Sequence, residues 1–320
     1  MSLAVHSSLL AVSAFALTVW LSACSAKIVP AAPAPRALAV SVPETTIAVP
    51  QRLEDGLPQA AVENFNARHT DYAARRGDLD LLFLGDSITE GWAGAKDVWD
   101  RYYGTLKADQ FGVGYDRTQH LLWRLQNGEG QHVSPRVVVL LIGTNNIGQN
   151  PDDDVVAGIT AVVKEIQSDF RSAKILLLGI LPRNHVSQPD RAHITAVNRA
   201  ISKLDDGKRV FFLDIGAKFL DPDGEIPTEL MADLLHPTEK GYETWAQGIK
   251  DKLASLGGGR SRSIWTAFRA HCDRRSFLRG QKRSDPLPLI PLQDYRVAFD
   301  RSAAPQRRLQ FLEDLFALAG

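Results

Sequence analysis

Cysteine is nearly absent from this 320-residue chain: only Cys24 and Cys272 occur. They lie far apart in segments of different character, so a structural disulfide is not expected. Cys272 has no companions at zinc-ligand spacing and reads as an unpaired thiol. Net charge is absent too. The 37 basic and 37 acidic residues cancel, which argues against a nucleic-acid binder. Long apolar runs are scarce. The longest, residues 9–20, is too short to span a bilayer comfortably, and only His6 stands where a basic flank would be expected.

What is present at the N-terminus reads as a targeting signal. Leu21-Ser22-Ala23-Cys24 follows the apolar run directly. Small residues before a cysteine in that position resemble the bacterial lipobox. The resemblance implies cleavage before Cys24, a lipid on its sulfur, and a place in the bacterial cell envelope on the periplasmic or outer-membrane face. That lipid would be the chain's only membrane attachment. The alternative is an ordinary cleaved secretory peptide with an incidental cysteine. We therefore expect a signal peptide over 1–23 and an Ala/Pro-rich tether over 24–57. A folded domain follows over 58–256, then an Arg-rich extension over 257–320. Disorder or loose helix, a frameshifted reading, and a tail for anionic surfaces are the three accounts of that extension.

Between 58 and 256 the pattern alternates. Apolar runs of strand length fall at 79–84, 136–142, 174–180 and 210–213, with a weaker one near 111–113. Helical patterns fall at 63–76, 119–125, 153–170, 192–204 and 239–256. The helix near 153 opens on three aspartates, which suit a helix N-terminus. Strands alternating with helices imply a parallel sheet covered on both faces. The expected fold is α/β, a three-layer α/β/α sandwich around a central, mainly parallel five-stranded sheet of flavodoxin-like type.

Three segments carry candidate chemistry, and each follows a strand or lies at the mouth of the sheet. Gly85-Asp86-Ser87 ends the first strand, where Gly85 is expected to permit a sharp turn and Ser87 to present its hydroxyl. Its setting is not the G-x-S-x-G of the α/β-hydrolase elbow, and as a tripeptide it also reads as a plain helix cap. Gly143-Thr144-Asn145-Asn146 follows a second strand. Its Asn145 amide suits an oxyanion, and the same residues suit a simple turn. Asp233-Leu234-Leu235-His236-Pro237 places a carboxylate three residues before a histidine, close enough to fix the ring's tautomer. His120, His132, His185 and His193 read as surface residues.

The order Ser, Asn, Asp-His is specific where its parts are not. The chain resembles the SGNH (GDSL) hydrolase superfamily over about residues 75–256. Within it, the closest resemblance is to the platelet-activating-factor acetylhydrolase catalytic-subunit branch and its bacterial relatives. GDSITEGW, FGVGYDRTQHLLWRLQNGE, GTNN, GILPR and DLLHPTEKGYETWA carry it. The resemblance implies Ser87 as nucleophile, His236 as general base and Asp233 as its orienting carboxylate. It implies an oxyanion hole made by the backbone N–H groups of Ser87 and of position 115 and by the Asn145 amide. Ile88, Thr144 and Leu235 would border the acyl group. Position 115 departs from the pattern, because Tyr115 stands where the family has glycine. A backbone N–H survives that change. We expect negative φ there, with the ring lining the pocket; a positive φ would require the loop to shift.

The implied activity is serine esterase chemistry on short, acetyl-like esters, without metal or organic cofactor. An exported enzyme of this kind suggests acetylated carbohydrate or cell-envelope glycan as substrate. A lysophospholipase or short-chain lipid esterase is the alternative. A second is an inactive envelope binding protein on the same scaffold. The resemblance also suggests a homodimer, although no pairing surface can be recognised in the sequence.

Overall fold

The computed structural model describes residues 42–257. The signal segment, Cys24, the tether as far as residue 41, and the C-terminal extension with Cys272 lie outside the described residues.

Five strands form one parallel sheet: β1 (Gly77–Gly85), β2 (Ala108–Gly112), β3 (Val133–Leu141), β4 (Lys174–Leu178) and β5 (Val210–Leu213), in spatial order β2-β1-β3-β4-β5. This is a flavodoxin-like order. Alternate side chains feed two cores. Leu81, Phe83, Val137, Val139, Leu176 and Leu178 face one side, against helices α3 (Lys96–Tyr103) and α7 (Glu239–Leu256). Leu82, Leu84, Val138, Leu140, Ile175 and Leu177 face the other. There they meet α1 (Gln59–Ala74), α4 (Thr118–Gln126), α5 (Asp152–Asp169) and α6 (Pro189–Ile201). Burial on both faces explains why the strands read as unbroken apolar runs. Each such leucine contributes about 1.5–3 kcal/mol by leaving water.

Register sets the site. Gly85 at the end of β1 pairs with Gly112 of β2 on one side and Leu141 of β3 on the other. The segments after β1, β2 and β3 therefore emerge together at one edge. Gly85 does not owe its place to a special dihedral, as the sequence suggested. A Cβ there would stand 2.2 Å from the Leu141 carbonyl oxygen and 2.3 Å from Thr89 Oγ1. Close backbone approach is what demands glycine.

The structure also moves the start of the folded domain. Residues 42–57, expected within the tether, are packed onto it. Thr45 is fully buried and its hydroxyl donates to the Asp154 carbonyl at 2.6 Å. The Thr118 hydroxyl returns a bond to the Thr45 carbonyl at 3.1 Å, and Val49 N–H donates to the Gln119 carbonyl at 3.3 Å. Hydrogen bonds rather than an apolar pattern fasten this strap, so composition disguised it. Helix α3 was likewise not anticipated, although Val98, Trp99, Tyr102 and Tyr103 recur at helical spacing and pack into the core.

Candidate active site

Ser87 opens α2 (Ser87–Glu90), a single turn capped by Asp86. The Asp86 side chain accepts from Ile88 N–H at 2.9 Å. This fixes the turn and leaves the Ser87 N–H with no acceptor among the described residues. Ser87 Oγ lies 3.0 Å from His236 Nε2.

His236 comes from the loop before α7. Leu234 adopts φ 60° there, a tight left-handed turn that folds Asp233 back on its own chain. Asp233 Oδ1 accepts from Leu235 N–H at 3.0 Å and from His236 N–H at 2.7 Å. Its Oδ2 lies 2.7 Å from His236 Nδ1. Partial burial tends to raise the Asp233 pKa, but the ring and backbone hydrogen bonds from His236 and that from Leu235 outweigh it, and the net direction is down. An ionised Asp233 is a pure acceptor, so the proton sits on Nδ1 and the Nε2 lone pair faces the serine hydroxyl. The pair is open to solvent, with side-chain exposures of 43% for His236 and 57% for Asp233.

Asn145 follows β3 and is half-buried. Its Nδ2 donates to the Asp116 carbonyl at 3.0 Å, which uses one amide hydrogen and leaves the second free. Arg183 holds the same turn from α6's side, donating to the Thr144 carbonyl at 2.7 Å and the Ile147 carbonyl at 3.0 Å while bonding Asp190 at 2.8 Å.

The loop after β2 is the most heavily secured part of the edge. Gly114 N–H donates to Glu90 Oε2 at 2.7 Å. The Gly114 carbonyl accepts from Gln51 Nε2 at 2.7 Å. His120 Nδ1 accepts from the Arg117 N–H at 3.1 Å, and the Asp116 carbonyl is held by Asn145. Asp116 N–H returns to Val113 at 3.3 Å. The Tyr115 N–H is left without an acceptor among the described residues. Tyr115 itself sits at φ 63°. This corrects the expectation of negative φ. The loop keeps a glycine-like conformation at a cost of about 1–2 kcal/mol, because hydrogen bonds on both sides hold it there. The ring stands half-exposed at 50% and is not packed into the interior.

Beneath the loop lies a buried ion cluster. Arg124 is fully buried, donates to Asp116 Oδ2 at 2.8 Å, and pairs with Glu129. It also reaches the Gly85 carbonyl at 3.3 Å and the Phe111 carbonyl at 3.2 Å, tying the ends of β1 and β2 together. Burial opposes its charge, but Glu129 and Asp116 outweigh burial and the guanidinium pKa rises. Burial pushes Asp116 up against the pull of Arg124 and Gln51, and pushes Asp86 up to about 7.

Of the sequence candidates, Ser87, Asp233 and His236 come together in one hydrogen-bonded line, with Asn145 linked to the Tyr115 loop beside it. Ile88 is packed into the core at 2% exposure, and Thr144 is buried at 3%. Leu235 is half-buried beside the core. His120, read as a surface residue, is buried at 1%, and burial lowers its pKa to about 4. Sequence reasoning assigned no role to Gln51, Glu90, Arg124 or Arg183, whose side chains secure the loops. Arg124 gave a signal in its setting, between apolar neighbours on α4 with acidic Asp116 and Glu129 nearby.

A serine hydroxyl aligned with a histidine and a carboxylate, with unpaired N–H groups alongside at the C-terminal edge of a parallel α/β sheet, defines a hydrolase acting on carboxylic esters. Comparison with known proteins agrees. Residues 83–244 match the GDSL-like Lipase/Acylhydrolase family, and the chain belongs to that family. It is 39% identical over 178 residues to platelet-activating factor acetylhydrolase IB subunit alpha2 of Rattus norvegicus, covering 55% of this chain and 77% of that protein. It is 35% identical to subunit alpha1 of Homo sapiens, over 55% of this chain and 76% of that one. A solved structure described as a platelet activating factor from Streptococcus pneumonia superposes with a TM-score of 0.52 at 26% identity, covering 63% of this chain and 96% of that chain.

Proposed function

We propose that this carboxylic ester hydrolase works through an acyl-serine on Ser87. The observation that carries the reading is the unbroken line from Ser87 Oγ to His236 Nε2 at 3.0 Å and from His236 Nδ1 to Asp233 Oδ2 at 2.7 Å. His236 takes the Ser87 proton as the hydroxyl attacks the ester carbonyl. Negative charge then develops on the carbonyl oxygen among the N–H groups of Ser87 and Tyr115 and the Asn145 amide. One such donor is worth about 3–4 kcal/mol of transition-state stabilisation. His236 next gives its proton to the leaving alcohol. Water, deprotonated by the same ring, attacks the acyl-serine and restores the enzyme.

The substrate we propose is a short acyl ester, acetyl-like, on carbohydrate or another cell-envelope glycan. The Asp233/His236 pair stands at an open rim, which admits a bulky alcohol portion. Relatives named acetylhydrolases support the acyl size. Export and lipidation at Cys24 complete the proposal and rest on the sequence of residues 9–24. Acetate release from acetylated xylan, compared with fatty-acid release from a lysophospholipid at equal enzyme concentration, is the test. Preference for the lysophospholipid would replace the glycan reading with a lipid one.

A further inference from the structure

Gln51 lies on the strap before α1, more than sixty residues from the loop it touches. Its side chain is 3% exposed, and its Nε2 donates to the Gly114 carbonyl at 2.7 Å and to Asp116 Oδ1 at 2.8 Å. These two acceptors flank Tyr115. We propose that Gln51 is a positioning residue that aims the Tyr115 N–H at the developing oxyanion. The inference rests on the serine-esterase reading above and extends it to a segment outside the family match.

Peptide geometry carries the argument. In a trans peptide the C=O and N–H of one plane point in opposite directions. The Gly114 carbonyl and the Tyr115 N–H belong to the same plane. Holding the carbonyl toward Gln51 therefore turns the N–H away from it. Without that hold, Tyr115 at φ 63° gains by relaxing to negative φ, and relaxation rotates this peptide. Both groups facing Nε2 are acceptors, so only the amide nitrogen suits the position. An oxygen there would meet two oxygens.

The strap is mounted firmly enough to serve. Thr45 bonds the Asp154 carbonyl and Val49 bonds the Gln119 carbonyl, so Gln51 is held at both its chain and its amide. Its second bond steadies Asp116, whose carbonyl holds Asn145. One side chain thus bears on two of the three oxyanion donors. Glu90, His120 and Arg124 also support the loop, but none of them reaches the Gly114 carbonyl.

The test compares Gln51→Ala, the isosteric Gln51→Glu, and Thr45→Ala, which weakens the strap without touching the loop. Steady-state kinetics on 4-nitrophenyl acetate, the inhibition constant of phenylboronic acid, and Tm are measured for each. Phenylboronic acid forms a tetrahedral adduct with an active serine and so reports the oxyanion site. Both Gln51 variants are expected to lower kcat by about 10–100-fold, since small displacements of a catalytic group carry losses of that order. KM should stay within about twofold, and boronate affinity should fall in proportion to kcat. Thr45→Ala should lower Tm and lower kcat less than either Gln51 variant, because it loosens the strap but keeps both Gln51 bonds. If both Gln51 variants lower Tm while kcat and boronate affinity stay unchanged, Gln51 is merely structural and the inference is wrong. Should the alanine variant fail to fold, the glutamate variant carries the same comparison. Activity surviving in Ser87→Ala would instead remove the esterase reading itself.

Discussion

Asn145 Nδ2 donates to the main-chain carbonyl of Asp116 at 3.0 Å, so the side-chain donor beyond β3 is registered to the loop beyond β2. One amide hydrogen is used in holding position and the other is free, which suits the oxyanion role proposed for it. Asn145→Ala is expected to lower kcat by about 10²–10³-fold with little change in KM, the loss typical of a single oxyanion donor. Equal losses in kcat and in ground-state binding, read from steady-state kinetics, would contradict that role.

Tyr115 contributes its backbone rather than its ring to this account. Tyr115→Gly keeps the N–H and suits φ 63° better, so kcat on a small acetyl ester should stay within a few-fold of wild type. The relief of left-handed strain should leave stability unchanged or raised by up to about 1 kcal/mol. Tyr115→Pro removes the donor and fixes φ near −65°, and its kcat should fall by about 10²-fold or more. Comparable activity in the glycine and proline variants would exclude the Tyr115 N–H from the site.

Asp233 holds His236 through both its ring and its main chain. Asp233→Asn presents an amide to Nδ1 and permits the wrong tautomer, with an expected fall in kcat of about 10²-fold or more. The folded Asp233 pKa lies below its ordinary value. Its ionised form therefore contributes stability above the unfolded carboxylate range, and that contribution is lost as pH falls through the lower folded value. Its protonation is not expected to limit kcat above about pH 4. Full activity in Asp233→Asn across the pH range would refute the orienting role.

Asp86 titrates in the opposite sense. Burial raises its folded pKa from 3.8 to about 7, assisted by the neighbouring Asp116 charge and opposed by the bond from Ile88 N–H and by Arg124. Folding thus favours the protonated acid. That contribution is complete below about pH 4 and is lost as pH rises through about 7. Asp86→Asn keeps an acceptor for Ile88 and avoids ionisation. Relative to wild type, it should be more stable by about 1–4 kcal/mol at pH 8 and show no such gain at about pH 3.5. Chemical denaturation at the two pH values checks this, and an equal difference at both would contradict it.

The parts legible in the sequence share a physical cause. β5 lies at Val210–Leu213 and α7 at Glu239–Leu256, where the apolar patterns placed them, because strands and helices that bury whole faces must show it in composition. Ser87, Asn145 and the Asp233/His236 loop were legible because each stands at the end of a strand or the start of a helix. The strap was not, because Thr45 and Gln51 are buried by hydrogen bonds to distant carbonyls. Local sequence carries no trace of such partners. Nor did it show that Tyr115 keeps a positive φ, since Glu90 and Gln51 hold the loop from elsewhere in the chain. His120 looked like a surface residue for the same reason.

The central claim is that Ser87 is the group acylated. Incubating the protein with a fluorophosphonate and mapping the adduct by peptide mass spectrometry tests it most directly. The account predicts one stoichiometric adduct on the peptide containing Ser87, lost in Ser87→Ala and slowed severely in His236→Ala. An active preparation that acquires no adduct, or one labelled equally in Ser87→Ala, would contradict it.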